Sequence, residues 1–263
     1  MLFNYYMARY YTNTLYTFEL IFDCALFLIL LLFYVRKIDK GSLVVFLFTG
    51  TIHAILEIFA QITETRVVQD TLLFDIIYVG FPILPIIMGF YEGGVFCLAA
   101  YHFVKIIANK DRYSTKFFSI LCAITILITT TGAISMRFQL ESDPSGVNFT
   151  RRTITNPFAI ILMISLYSIT ISYFIINKKI SSKDKLTVLY FYLGLVLFTF
   201  FMILPVHIFG IRYIEKDANG SYIAANLIEQ VLIMYAYQLM TDAAGFFIQD
   251  YIVLYHFVYL KDR

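Results

Sequence analysis

The sequence predicts an all-α fold, a polytopic membrane protein arranged as a seven-helix transmembrane bundle, and three observations carry that prediction. Of 263 residues, 60% are hydrophobic and only 14% charged, with a mean hydropathy of +0.77. An ordinary globular domain is about 25% charged and about 45–50% apolar. A water-soluble fold of this length has too few polar side chains to coat such a surplus. Apolar runs also repeatedly reach the ~20 residues that a helix needs to cross a ~30 Å hydrocarbon core. Finally, these runs are continuous, whereas barrel strands alternate over about 10 residues. A soluble single-core enzyme, a disordered chain, a disulfide scaffold and a nucleic-acid binder are thereby excluded.

Residues 1–13 are polar and Tyr-rich and lack the basic region and cleavage site of a secretory signal, so the first apolar run is expected to remain as a helix. Seven runs qualify within a single transmembrane domain: 16–35, 43–62, 84–107, 117–136, 158–176, 186–208 and 222–240. Gly, Pro and charged residues punctuate the connections between them. Residues 71–89 are apolar but carry Asp75, Pro82 and Pro85, and read as a short outer helix or re-entrant element. Residues 242–260 contain Asp250 and are short for a span. They read as a helix extension or an interfacial helix, with an eighth span the remaining alternative. Cys24, Cys97 and Cys122 all fall inside apolar runs and read as small buried hydrophobes.

Orientation follows from the positive charges. With the N-terminus outside and the C-terminus inside, the inner loops hold Arg36, Lys37, Lys40, Lys105, Lys110, Arg112, Lys116, Lys178, Lys179, Lys183, Lys185, Lys261 and Arg263. The outer segments hold Arg9, Arg66, Arg137, Arg151, Arg152, Arg212 and Lys216. Both glycosylation sequons, at Asn148 and Asn219, then fall outside, as expected of a glycoprotein.

Ionisable groups at mid-membrane cost roughly 2.5–3.5 kcal/mol each on the insertion scale, so those that persist are functional candidates. His53, Glu57 and Gln61 recur at i, i+4 and i+8 and share a helix face. Asn226, Gln230, Gln238 and Asp242 fall on a similar ladder in span seven, with Glu229 beside it. Glu57, Glu92 and Glu229 lie at comparable depth if each span starts at its outer end, which suggests one polar pocket open to the outside. Glu57, Glu92 and His53 are the candidate catalytic groups; Glu229, Asn226, Gln230 and Gln61 are the candidate ligand-binding groups. The bland reading is that the same residues are polar links between helices, each pair adding about 0.6 kcal/mol. Glu19 and Asp23 are expected to reach water at the outer interface.

Several chemistries can be weighed against these residues. A retinal pigment needs a lysine in the last helix, and 222–260 has none. The intramembrane zinc hydrolases that share this length and span count need converging histidines. The four here lie on separate segments, so no metal or other cofactor is expected, although His53, Glu57 and Glu92 do offer donor atoms. A seven-helix receptor is suggested by Asp111-Arg112-Tyr113 and Pro205, but NPxxY in span seven and a Trp in span four are missing. A proton-coupled transporter is the third alternative.

Thr49-Gly-Thr-Ile-His53-Ala-Ile-Leu-Glu57, followed by Tyr91-Glu92-Gly-Gly, resembles the emopamil-binding family of sterol isomerases and sigma-2-receptor-like proteins over residues 41–136. The resemblance implies that Glu92 acts as acid or cation stabiliser while His53 and Glu57 orient and buffer the proton. It departs from the family in span number and in lacking a pocket tryptophan. The reading that results is an intramembrane carboxylate and His pocket that binds or modifies a lipid-like or amphiphilic small molecule. No nucleic-acid partner is expected, and a homo-oligomer is left open.

Overall fold

The computed structural model describes residues 5–11, 13–142, 148–154, 156–218, 221–224 and 226–261. Long helices alternate with short strands. Strand β1 (Tyr5–Tyr11) leads into α1 (Asn13–Val35) and α2 (Gly41–Ile62), followed by β2 (Arg66–Val68), β3 (Thr71–Leu73) and β4 (Ile77–Val79). Helix α3 (Ile83–Asn109) and α4 (Arg112–Ser142) precede β5 (Asn148–Thr153), and α5 (Pro157–Ile176) and α6 (Ser182–Ile208) precede β6 (Arg212–Ala218) and β7 (Ser221–Ala224). The final segment contains α7 (Leu227–Val231), α8 (Ala244–Phe247) and α9 (Asp250–Leu254), with π-helical turns at Leu232–Ala243 and Tyr255–Tyr259.

The fold is therefore mostly helical but not all-α. Five strands form one antiparallel sheet in the order β2-β5-β1-β6-β7, in register Tyr6↔Thr153, Tyr6↔Glu215 and Val67↔Arg151. The sheet gathers the N-terminal segment and the connections after α2, α4 and α6 at one end of the bundle. Of residues 71–89, expected to form a short outer helix or re-entrant element, 71–79 form a second hairpin, β3–β4. Helix α3 begins only after it, and Pro85 is tolerated in the first turn because that N–H has no intrahelical partner.

Among the described residues, five helices are long and apolar enough to cross a membrane, α1, α2, α3, α4 and α6, with a shorter apolar stretch at Ile160–Ile176. The last segment departs most from expectation. Residues 222–224 belong to strand β7, and the helix starts at Leu227. Gln230 bonds both the N–H and the C=O of Ile214 in β6, at 2.9 and 3.2 Å, so it sits at the level of the sheet. Asp250 meets His53 in the middle of α2, and Tyr259 Oη donates to Asn109 at the far end of α3. Residues 242–260 thus continue the last helical segment through the bundle.

Helix α3 runs through the centre, with Gly93 to His102 all buried. Its approach to α2 depends on small residues. A Cβ on Gly89 would overlap the Ala54 backbone, and one on Gly93 the His53 side chain. This i, i+4 glycine pair lets two backbones pack closely where lipid supplies no hydrophobic drive. On the other side, Gly194 of α6 faces Ala100 and Phe103. At the end away from the sheet, a buried polar chain links three helices. Ser42 Oγ donates to Asp39 (2.7 Å) and lies 2.8 Å from His102 Nε2, while His102 Nδ1 lies 3.0 Å from Ser114 Oγ. Asp111 accepts from Ser114 Oγ (2.6 Å) and the Tyr113 N–H (3.0 Å), so Asp111-Arg112-Tyr113 forms the start of α4.

Large apolar side chains face outward along the bundle, among them Leu28, Ile29 and Leu32 on α1 and Ile161, Ile164 and Ile175 on α5. Long apolar helices with such outer faces make the chain an integral multi-pass membrane protein.

Candidate functional site

A cavity of about 660 Å³ lies between α2, α5, α6 and the last segment, beneath the sheet. Its apolar wall comes from Leu56, Phe59, Leu162, Met202, Phe246 and Phe247, and its polar wall includes Glu57, Glu92, Arg66, Arg152, Arg212 and Gln238. The volume falls within the ~300–1,000 Å³ usual for small-molecule sites.

Glu57 and Glu92 do come together, and what joins them is Arg66 of β2. One arm of Arg66 donates to Glu57 and to Glu92 Oε2 (2.9 Å), and the other donates to Glu92 Oε1 (2.7 Å). Arg152 of β5 stands 3.7 Å from Glu57 and 3.9 Å from Glu92. Local backbone explains the placement. Glu92 lies in the π-helical turn Phe90–Val95, where the extra residue per turn re-aims side chains. Arg66 is brought over the helix ends by the pairing Arg66↔Arg152. Burial works against the charge on Arg66, but Glu57 and Glu92 outweigh it and hold its pKa well above the usual arginine value. Arg212 lies at the start of β6. With its amide oxygen turned toward that guanidinium, Gln238 accepts from Nη1 at 2.7 Å and Nη2 at 3.1 Å.

His53 lines the same cavity but belongs to a different cluster. Its Nε2 lies 2.8 Å from Asp250 Oδ2, and Cys97 Sγ donates to that same oxygen at 3.7 Å. The Phe247 ring meets the imidazole edge-on, with centroids 4.3 Å apart. All three polar residues are buried, and their donor atoms lie within 4.8 Å of one another.

The other expected ligand-binding residues are not part of this cavity's lining. Asn226 and Glu229 form a capping box at the start of α7: Asn226 Oδ1 accepts from the Glu229 N–H (3.0 Å), and Glu229 Oε2 accepts from the Asn226 N–H (2.9 Å). Tyr5 Oη also donates to Glu229 (3.1 Å). Asn226, Glu229 and Gln230 thus serve the junction of helix and sheet, and Glu229 does not line the cavity that holds Glu57 and Glu92. Gln61 is half-buried one turn beyond Glu57. Glu19 and Asp23 are buried rather than solvated, with Arg9 of β1 exerting an attractive field on Glu19. Cys24, expected to be buried, is exposed on α1. Asn148 pairs with Tyr11 in the sheet; Asn219 lies outside the described residues, and so does the side chain of Asp242.

Sequence reasoning missed Arg66, Arg152, Arg212, Cys97 and Asp250. One signal for the arginines was available: each lies on a connection that the charge pattern assigns to the outside, close to the end of an apolar run, where basic residues are expected to be scarce. No protein-family model, no curated protein and no solved structure matches the chain, so the reading of the site rests on its own geometry.

Proposed function

We propose that the protein binds an amphiphilic, lipid-like molecule with an anionic headgroup, its tail against the apolar wall of the cavity and its head among the arginines. The observation that carries this reading is one 660 Å³ cavity with an aromatic wall on one side and three arginines against two glutamates on the other. The walls hold one positive charge in excess, and guanidinium groups match the geometry of carboxylate or phosphate oxygens. Leu56, Phe59 and Leu162 line the cavity and are exposed members of α2 and α5, which supports entry sideways from lipid.

The same reading has the chain crossing the membrane seven times, with the sheet and N-terminus outside. The parity of the connections supports it. Arg9, Arg66, Arg151, Arg152, Arg212 and Lys216, all assigned outside on charge grounds, lie on strands of the one sheet. A sterol-isomerase-like turnover would require Arg66 to move away from Glu57 and Glu92 first, since a carboxylate held in an ion pair is a poor proton donor. Binding is therefore the function proposed.

The test is binding of fluorescent anionic, zwitterionic and cationic single-chain amphiphiles to the purified protein in nanodiscs. Anionic probes should bind tightest, and Arg212→Gln should weaken them roughly tenfold, the loss of about one charge-assisted hydrogen bond, while zwitterionic and cationic probes bind the variant as they bind the wild type. Equal binding of all three probes, or unchanged affinity in Arg212→Gln, would reject the proposal.

A further inference from the structure

We propose that His53, Cys97 and Asp250 form a binding site for a zinc-class divalent cation beside the floor of the cavity. The three residues come from α2, α3 and α9, and the fold brings an imidazole nitrogen, a sulfur and a carboxylate oxygen within 4.8 Å of one another. Neutral imidazole, thiolate and carboxylate are the donors zinc takes, and sites with three protein ligands keep one position for water or substrate.

The geometry is close to what such an ion needs. A tetrahedral zinc site with bonds of about 2.0–2.3 Å has ligand–ligand edges of roughly 3.3–3.7 Å. The Sγ–Oδ2 separation is 3.7 Å and already fits, while the Nε2–Oδ2 separation of 2.8 Å must open slightly. The donors are also held in place. Gly93 packs against the His53 side chain, Phe247 meets the imidazole edge-on, Cys97 lies within the buried run Gly93 to His102, and Asp250 is itself buried.

Charge provides an independent argument. Among the described residues no Lys or Arg forms a salt bridge with Asp250, whose partners are His53 and Cys97. A carboxylate in the middle of an apolar bundle with no Lys or Arg in a salt bridge to it is expensive. A dication bound by one carboxylate, one neutral imidazole and one thiolate makes a site of zero net charge. On binding, the Cys97 thiol gives up its proton to solvent, and the metal–sulfur bond takes its place. Since His53 also lines the cavity, the cavity provides the route by which ion and water reach the site.

The experiment uses the full chain, purified in detergent without chelators. Elemental analysis should find about one zinc per chain, and replacement by Co²⁺ should give tetrahedral ligand-field bands with a thiolate-to-cobalt charge-transfer band. Cys97→Ser, a near-isosteric change, should abolish the charge-transfer band while the protein stays folded. Asp250→Asn should weaken Co²⁺ binding by roughly tenfold or more. Wild-type protein that neither carries zinc nor takes up Co²⁺, or a charge-transfer band that survives in Cys97→Ser, overturns the proposal. The site does not depend on the amphiphile reading. Failed metal uptake with intact probe binding rejects the site alone, and the reverse pattern rejects the amphiphile alone.

Discussion

Replacing Arg66 with Met tests the electrostatic core of the cavity most directly. Arg66 is 5% exposed and donates to both Glu57 and Glu92, so its loss strands two carboxylates in a buried setting. Removing one member of a buried ion pair typically costs about 3–5 kcal/mol. Arg152, at 3.7 and 3.9 Å from the two acids, remains and takes over part of the interaction. A charge pair near 4 Å interacts by about 4 kcal/mol at an effective dielectric of 20, before desolvation is subtracted. The low end therefore applies, about 3 kcal/mol, or roughly two orders of magnitude in the unfolding equilibrium. Unfolding of the purified protein in mixed micelles of increasing SDS fraction measures this. The matched control is the triple variant Arg66→Met, Glu57→Gln, Glu92→Gln, which removes the charges together and should recover most of the loss, because neutral replacements of buried ion clusters are often tolerated. If Arg66→Met costs less than about 1 kcal/mol, or the triple variant is no more stable than the single one, the cluster is not what holds β2 over the helix ends.

Three further predictions concern the scaffold. Gly89→Ala should destabilise the α2–α3 packing by about 1–3 kcal/mol in the same assay, because the new methyl meets the Ala54 backbone and not a movable side chain; a neutral effect would mean the helices can part freely. Ser42→Ala should cost about 1–3 kcal/mol by leaving Asp39 and His102 short of a partner, and an unchanged unfolding midpoint would contradict it. Burial acts to raise the pKa of Asp111, but hydrogen bonds from Ser114 and the Tyr113 N–H, with Lys105 nearby, outweigh it and hold the carboxyl below the usual aspartate value. Its contribution is thus present above the unfolded value of about 3.9 and is lost as pH falls through the lower folded one. An acid titration of stability should be shallower in Asp111→Asn than in wild type, and identical curves would refute the assignment.

The helices were legible in the sequence because lipid leaves a simple trace: unbroken apolar runs of sufficient length. The strands were not, since each is three to seven residues long and the central pairings join segments far apart, as Tyr6 does with Thr153. A hydropathy reading sees such segments as loops. The last helix was misplaced for the opposite reason, because 222–224 are apolar enough to pass for helix when they belong to β7. Within the site, His53, Glu57 and Glu92 stood out as costly residues in apolar runs. Arg66 and Arg152 did not, because a cation in a connecting loop is ordinary until the sheet folds it back over the acids. Asp250 was visible as an oddity, yet only its depth beside His53 made it part of a site. Cys97 carries no charge in its usual form and gave no signal among its apolar neighbours.

The position of β1 in the middle of the sheet has a consequence for synthesis. Its neighbours are β5 and β6, with Tyr6 opposite both Thr153 and Glu215. The first strand to be translated therefore has no partner until four helices have been made, and no second partner until six have. Over that interval its open edges must be kept from pairing with other chains, a task for which the Arg9 charge is suited. A nascent chain arrested after α4 should expose residues 5–11 to protease, and full protection should arrive only when β6 emerges, with β7 and the last helical segment still to be added.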